Sequence, residues 1–331
     1  MRLIIPMAGE GKRLRPHTLT VPKPLFPLLG KPVLQWLIEE IQRALPGTVE
    51  RMVFIVRDLR VDHQRFLEHL AESFGAAAYF CEQTQPLGTA HAIYQAREHL
   101  AGGCVILFAD TIFKASIHVP QDADGALWVK RVEDPRSYGV VELSPEGFIH
   151  RLIEKPETPP SDLAIIGIYY LRQAERLLPA IEYLFQHNIQ SKGEYQLTDA
   201  LQWLCDQGVR LRALPVQEWL DCGSKSLILQ AQTRLLELGE GQHSSQTALK
   251  NVHVIPPCHI ADDAEVSDSI LGPYVVVEKG AKVRRSIITR TLCRTHSQIE
   301  ESILHDTIIG AYAYCKGALG ALDLGDYSRY G

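Results

Sequence analysis

The chain has no Cys-x-x-Cys pair and no His/Cys spacing of the zinc-site type, although it carries seven cysteines in 331 residues. Scattered thiols without a pairing framework fit a reducing compartment, and free thiols are expected. Long apolar runs are missing as well. Residues 3–7 form the only apolar stretch before Gly9, too short for the core of a signal peptide, and nothing later approaches a membrane span. The expected location is the cytoplasm, with no membrane partner. Low-complexity tracts are absent, and a composition of 46% hydrophobic and 22% charged residues is that of a globular protein. Nor is positive charge in excess. A formal net charge of −5 argues against general affinity for nucleic acid and leaves room only for a local anion site.

The length suits one large domain and a smaller one. Through the first half, short β-type runs at residues 3–7, 52–56, 77–81 and 105–109 alternate with helical patterns, as a parallel, helix-covered sheet requires. Pro32 suits the first position of a helix that carries Val33, Leu34, Leu37, Ile38 and Ile41 at helical spacing. Gly88 opens another helix in LGTAHAIYQAREHL. From Gly125 onward, GALWVKRV, GVVEL, HRLIEK and AIIGIYYL read as an antiparallel extension. Helices return at residues 174–185, 197–207 and 224–238, the last with Ser224 as its expected N-cap. The predicted fold of residues 1–240 is therefore α/β: a Rossmann-like, mixed and mostly parallel sheet with helices on both faces.

A polar stretch, GEGQHSSQT, follows and places a linker at residues 241–250. Beyond it the texture changes. VSDSIL at Val266, VRRSII at Val283 and IEESIL at Ile299 repeat one apolar-x-x-Ser-apolar-apolar phrase at steps of 17 and 16 residues. Such self-similarity predicts a solenoid. Apolar residues six apart, as in Val254, Ile260 and Val266, suggest three short strands per coil, the hexapeptide arrangement of a β-helix over residues 251–331.

The first loop is the most informative segment. PMAGEGKRLRPHTLTVPKP follows the first expected strand and concentrates Lys12, Arg13, Arg15 and Lys23 against the single acid Glu10. A dinucleotide fingerprint would need a third glycine near residue 14, where Leu14 stands. A Walker loop would need Ser or Thr after its lysine, whereas Arg13 follows Lys12. What remains is either a surface turn or a glycine-rich cradle whose N–H groups and cations receive a polyanion such as a triphosphate. Further along, Asp110 stands just past an expected strand, where an open α/β sheet presents ligands and where a helix cap is equally at home.

MAGEGKRLRPHTLTVPKPL resembles the signature of the sugar-1-phosphate nucleotidylyltransferases: Gly-x-Gly-x-Arg-Leu, a Pro and a Thr, then a Lys-bearing segment. Glu10 and Lys12 replace the family's frequent glycine and threonine. The resemblance implies that Ala8, Gly9, Gly11, Lys12 and Arg13 hold a nucleoside triphosphate, that Arg13 contacts the departing pyrophosphate, and that Lys23 reaches the phosphates. By the same likeness, Gln83 and Gly88 in QTQPLGTAHA read the base. Tyr138, Gly139, Glu154, Lys155, Gly167 and Glu194 contact the sugar phosphate, while Asp199 orients or caps its helix. EWLDCGS matches the family's Trp-Leu-Asp-x-Gly, with Cys222 where threonine is common. Asp110 and Asp221 are thereby implied as carboxylate ligands of Mg²⁺, which prefers hard oxygen donors.

The implied reaction is transfer of a nucleoside monophosphate from a nucleoside triphosphate to a sugar 1-phosphate. The resemblance favours dTTP or UTP as donor and glucose 1-phosphate as acceptor. Three alternatives stay open: guanylyl transfer to mannose 1-phosphate, a non-catalytic sugar-nucleotide-binding paralogue, and a bifunctional enzyme. For the last, the C-terminal repeats resemble the left-handed β-helix of acyltransferases, with His296 and His305 as general bases. A homo-oligomer assembled through the β-helix is the expected partner arrangement.

Overall fold

The structure is a computed structural model that describes residues 1–44, 47–115, 119–240 and 248–331. Most of the expected linker, residues 241–247, lies outside the described residues. The chain divides into two compact units, one of Met1–Gly9 with Leu37–Trp219 and one of Glu10–Trp36 with Leu220–Gly331. The basic loop therefore belongs to the same unit as the C-terminal repeats. Among the described residues no helix is long and apolar enough to cross a membrane.

The first unit is built on a mixed sheet whose main path runs Ile149–Glu154, Gly139–Leu143, Leu163–Leu171, Cys104–Leu107, Arg2–Pro6, Arg51–Val56, Ala77–Glu82. Arg2–Pro6 pairs in parallel with both Arg51–Val56 and Cys104–Leu107. Its Leu3, Ile4 and Ile5 have no exposed surface. An uninterrupted apolar run of this kind is what a strand covered on both faces requires. The antiparallel extension forms around Leu163–Leu171, which pairs with Cys104–Leu107, Gly125–Arg131 and Gly139–Leu143. Its register slips between Ile165 and Tyr169. Gly167 sits in that slip at φ +83°, where an added β-carbon would stand 3.1 Å from the Phe108 β-carbon. Glycine is thus required to let the strand bulge beside Phe108. The helix opened by Gly88 is Thr89–Gln95. Leu177–Gln186 and Leu197–Asp206 pack their apolar faces into the same core, with Leu177, Ile181, Leu197 and Leu201 buried.

In the second unit, residues 248–331 form a parallel β-helix with three ladders. Glu265–Leu271 stacks on Lys282–Arg284 and Ile287–Cys293, which stacks on Ile303–Ile309. The repeated phrase has a physical origin. Val266, Val283 and Ile299 point inward, as do Leu271, Ile288 and Leu304, and together they make the coil core. Between them Ser269, Ser286 and Ser302 are buried at a corner. Each hydroxyl donates to the carbonyl two residues earlier, Ser286 Oγ to Arg284 O at 2.8 Å for example. Each also accepts the N–H of its counterpart in the next coil: Ser286 N to Ser269 Oγ at 3.1 Å and Ser302 N to Ser286 Oγ at 3.2 Å. The serine repeats because the corner strands its amide unless a hydroxyl receives it.

The last long helix, Lys225–Glu237, lies against this β-helix, with buried Gln232 donating to the carbonyls of Tyr274 and Thr291. Ser224 occupies its N-cap in extended conformation, yet its hydroxyl makes no capping bond and meets Ser226 Oγ instead.

Candidate active site

The basic loop folds on itself through short 3₁₀ turns at Lys12–Leu14, His17–Leu19 and Lys23–Leu25. Gly11 initiates the first in left-handed conformation, φ +61°, and a β-carbon there would come within 3.0 Å of Thr18 Cγ2. Thr18 Oγ1 donates to Gly11 O at 2.9 Å and closes the turn. Leu14, Leu25 and Phe26 are buried beneath it, leaving the cations outward.

The four cations then divide. Lys12 and Arg15 fall to Glu10, at 3.1 and 3.4 Å. Arg13 and Lys23 converge on the turn that follows Glu218–Asp221. A β-carbon on Gly223 would lie 2.7 Å from Asp221 Oδ1, 3.1 Å from Arg13 Nη2 and 3.5 Å from Lys23 Nζ. Gly223 is bare because three charged groups surround its α-carbon. Its N–H donates to Asp221 Oδ1 at 2.6 Å and holds that carboxylate in place. Two cations beside one fixed carboxylate make a centre that attracts a polyanion.

The remaining sequence-predicted residues lie in the first unit, in two groups. Gln83 is buried and donates through Nε2 to Gly88 O and to His91 Nδ1, both at 3.2 Å. Burial lowers the pKa of His91, which suits a ring nitrogen that accepts. Gly88 adopts φ +117° because a side chain would collide with the backbone of Tyr195. Through that close approach the strand-to-helix turn is tied to the segment bearing Glu194. Tyr195 N donates to Leu87 O, Ala90 N to Tyr195 O, and Gln196 Nε2 to Glu194 Oε2 at 3.0 Å.

The second group surrounds Gly139. Glu154 Oε2 accepts from Thr198 Oγ1 at 2.8 Å, and a β-carbon on Gly139 would stand 3.1 Å from it. Lys155 Nζ lies 3.3 Å from Glu154 Oε1. Its backbone is left-handed, φ +42°, held by Lys155 N donating to Tyr138 O at 3.1 Å. Tyr138 packs edge-on against Trp219 at 4.9 Å, and Trp219 Nε1 donates to Thr111 Oγ1 at 2.5 Å, next to Asp110. Tyr169 is buried, and the carboxylates of Glu154 and Asp110 join burial in pushing its phenol well above its ordinary range. Asp110 and Glu154 thus act on one side chain. Asp199 takes a hydrogen bond from Ser191 Oγ at 3.0 Å, and burial raises its carboxyl pKa.

Sequence reasoning missed Gly223, Thr18, Thr198 and Gln196. Gly223 stands in the quoted WLDCG stretch, but the crowding that requires it is a three-dimensional fact. Among the described residues no cluster of three or more His, Cys, Asp or Glu forms a metal cage. Asp110 and Asp221 nevertheless offer hard carboxylate oxygens, the donor type that suits Mg²⁺ when substrate phosphates and water supply the other positions. On the β-helix, the His296 ring lies tilted against Tyr312 at 5.0 Å and His305 is engaged with Asp306.

The nucleotidyl transferase family model matches residues 3–237, and the chain belongs to that family. It is similar to a glucose-1-phosphate thymidylyltransferase of Streptomyces griseus, 28% identical over 370 residues and 99% of each chain. The low-salt glycan biosynthesis nucleotidyltransferase Agl11 of Haloferax volcanii is 31% identical over 72% of this chain and 66% of its own length. The bifunctional protein GlmU of Methanococcus maripaludis is 33% identical over 71% of this chain, which spans only 54% of that relative. A solved structure of UDP-glucose pyrophosphorylase complexed with UDP-glucose shares the fold, with a TM-score of 0.57 and 24% identity over 72% of this chain and 98% of that one.

Proposed function

We propose that the chain catalyses nucleotidyl transfer from a nucleoside triphosphate, dTTP or UTP, to a sugar 1-phosphate, with glucose 1-phosphate the favoured acceptor. An oxygen of the sugar phosphate attacks the α-phosphorus, the new P–O bond forms, and the α–β phosphoanhydride bond breaks to release pyrophosphate. A phosphate monoester is already anionic near neutral pH, so positioning and charge neutralisation carry the catalysis. Arg13 and Lys23 meet the charge that grows on pyrophosphate. Lys155 holds the incoming phosphate, Glu154 and Glu194 bond sugar hydroxyls, and Gln83 with the Gly88 backbone reads the base. Mg²⁺, held by Asp110 and Asp221, would supply further neutralisation of phosphate charge. In this reading residues 1–240 carry the catalytic groups and residues 251–331 a β-helix that supports an oligomer. Seven free thiols accord with a cytoplasmic setting.

The observation that carries the reading is the meeting of Arg13, Lys23 and Asp221 around Gly223. Its support is the family membership and the resemblance of the loop to sugar-phosphate-specific members. The test is a pyrophosphate-release panel that crosses five nucleoside triphosphates with glucose, mannose, galactose and N-acetylglucosamine 1-phosphates in the presence of Mg²⁺. Turnover with dTTP or UTP and glucose 1-phosphate is expected. Turnover confined to GTP and mannose 1-phosphate would replace the substrate assignment, and tight nucleotide binding without pyrophosphate release in any pair would overturn the reading.

A further inference from the structure

Besides the apolar residues buried beneath it, the basic loop is fastened at several points to a single coil of the β-helix. His17 has no exposed surface, and its Nε2 meets Asp323 Oδ1 at 2.5 Å. Three residues on, Thr20 Oγ1 donates to Asp326 Oδ2 at 2.6 Å. The other oxygen of Asp326 accepts from Arg294 Nη1 at 2.7 Å and from Ala311 N at 2.8 Å, so this carboxylate is itself rigidly held. Arg294 in turn lies over the ring of Phe26, at the far end of the loop, 4.9 Å from its centroid. Pro16 rests on Gly325, where a β-carbon would intrude to within 3.1 Å. Two carboxylates and one glycine of one coil thus fit three consecutive points of the loop.

The same coil also grips the other half of the charged centre. Lys225, two residues after Gly223, donates through Nζ to Leu322 O at 2.9 Å and lies 3.9 Å from Asp323 Oδ2. Asp323 therefore stands between His17, which precedes the Thr18 that closes the Gly11 turn, and Lys225, which follows the Asp221–Gly223 turn. Both segments that bring Arg13, Lys23 and Asp221 to one point thus contact one carboxylate. A buried hydrogen bond between an imidazole and a carboxylate is directional enough to fix a loop position.

We propose that Asp323 and Asp326 are positioning residues for the nucleotide-binding loop, so that the β-helix sets the geometry in which Arg13 and Lys23 receive the triphosphate. This rests on the reading of that loop as the phosphate site. Neither aspartate touches substrate. Each acts through its loop partner, Asp323 through His17 and Asp326 through Thr20.

Two readouts on the full-length enzyme test the inference: steady-state kinetics, and calorimetric binding of inorganic tripolyphosphate, which depends on neither base nor sugar. Asp323→Ala is expected to raise the KM for nucleoside triphosphate and weaken tripolyphosphate binding about tenfold, because small misplacements of binding groups carry large penalties. The KM for sugar 1-phosphate is expected to stay unchanged. Asp323→Asn keeps an acceptor for His17 and is expected to recover most of the loss. If Asp323→Ala does not fold, Thr20→Val removes only the hydroxyl on Asp326 and is expected to weaken tripolyphosphate binding about threefold. A lowered Tm with both readouts unchanged below the transition would overturn the inference and leave the contacts purely structural. Wild-type protein that fails to bind tripolyphosphate would overturn it too. Wild-type protein that binds tripolyphosphate, loses affinity in Asp323→Ala and never releases pyrophosphate would refute the proposed reaction while sustaining the inference.

Discussion

At the scale of single residues, Gly223 is the sharpest test of the proposed site. A β-carbon there would stand 2.7 Å from Asp221 Oδ1 and 3.1 Å from Arg13 Nη2, closer than ordinary contact, with Lys23 Nζ at 3.5 Å. Gly223→Ala must push the carboxylate or the guanidinium aside. Because the residue lies in a turn and buries little apolar surface, the fold should tolerate the change. The expected result is a fall in kcat of about 10²-fold from displaced charge, with a Tm loss of no more than about 3 °C. Near-normal turnover would show that this convergence is not the phosphate centre. Much of the site was legible at this scale. Arg13, Lys23 and Asp221 were singled out by the resemblance of their motifs to the family signature. Lys12 and Arg15 carry the same charge, and the resemblance carried a nucleotide-binding role onto Lys12 and none onto Arg15. Only the position of Glu10, which receives both, separates them from the pair that reaches Gly223. The partners of Glu154 and Glu194, namely Thr198 and Gln196, were hidden because a hydroxyl or an amide at the start of a helix has many local uses.

At the scale of elements, the strands of the first unit and the coils of the second were legible from periodicity, since burial on both faces or at every coil corner leaves a repeating trace. The phrase ending in Ser-Ile-Leu or Ser-Ile-Ile predicted a solenoid, and the isoleucine after each serine faces outward. Ile270, Ile287 and Ile303 point out of the coil, 37%, 42% and 52% exposed, while the serine beside each is buried. The inversion arises because the corner amides of the next coil need a hydroxyl inside. Ser286→Ala removes the acceptor of Ser302 N and the donor to Arg284 O, at a cost of about 1–3 kcal/mol. Thermal unfolding should show a transition lowered by about 3 °C or more. An unchanged midpoint would refute the ladder's contribution.

At the scale of the whole molecule, the boundary read from composition and the division in space follow different rules. Composition changes near residue 240, where a mixed α/β pattern gives way to repeats. Compactness places Glu10–Trp36 with Leu220–Gly331, because the loop's buried histidine and threonine bond to carboxylates some 306 residues away. Contacts at that separation leave no local pattern, and no periodicity could have disclosed them. The expected consequence is that a chain ended at residue 240, although it keeps every proposed catalytic side chain, has pyrophosphate release at least about tenfold below the full chain. Equal rates in the same assay would show that the loop holds its shape unaided.

The long tether between His17 and Asp323 also bears on how the protein comes into being. During synthesis the carboxylates that fasten the loop leave the ribosome 306 residues after it. Until then a nascent chain carries its cations on an unfastened segment, so this centre matures only after Asp323 and Asp326 have been added to the growing polypeptide.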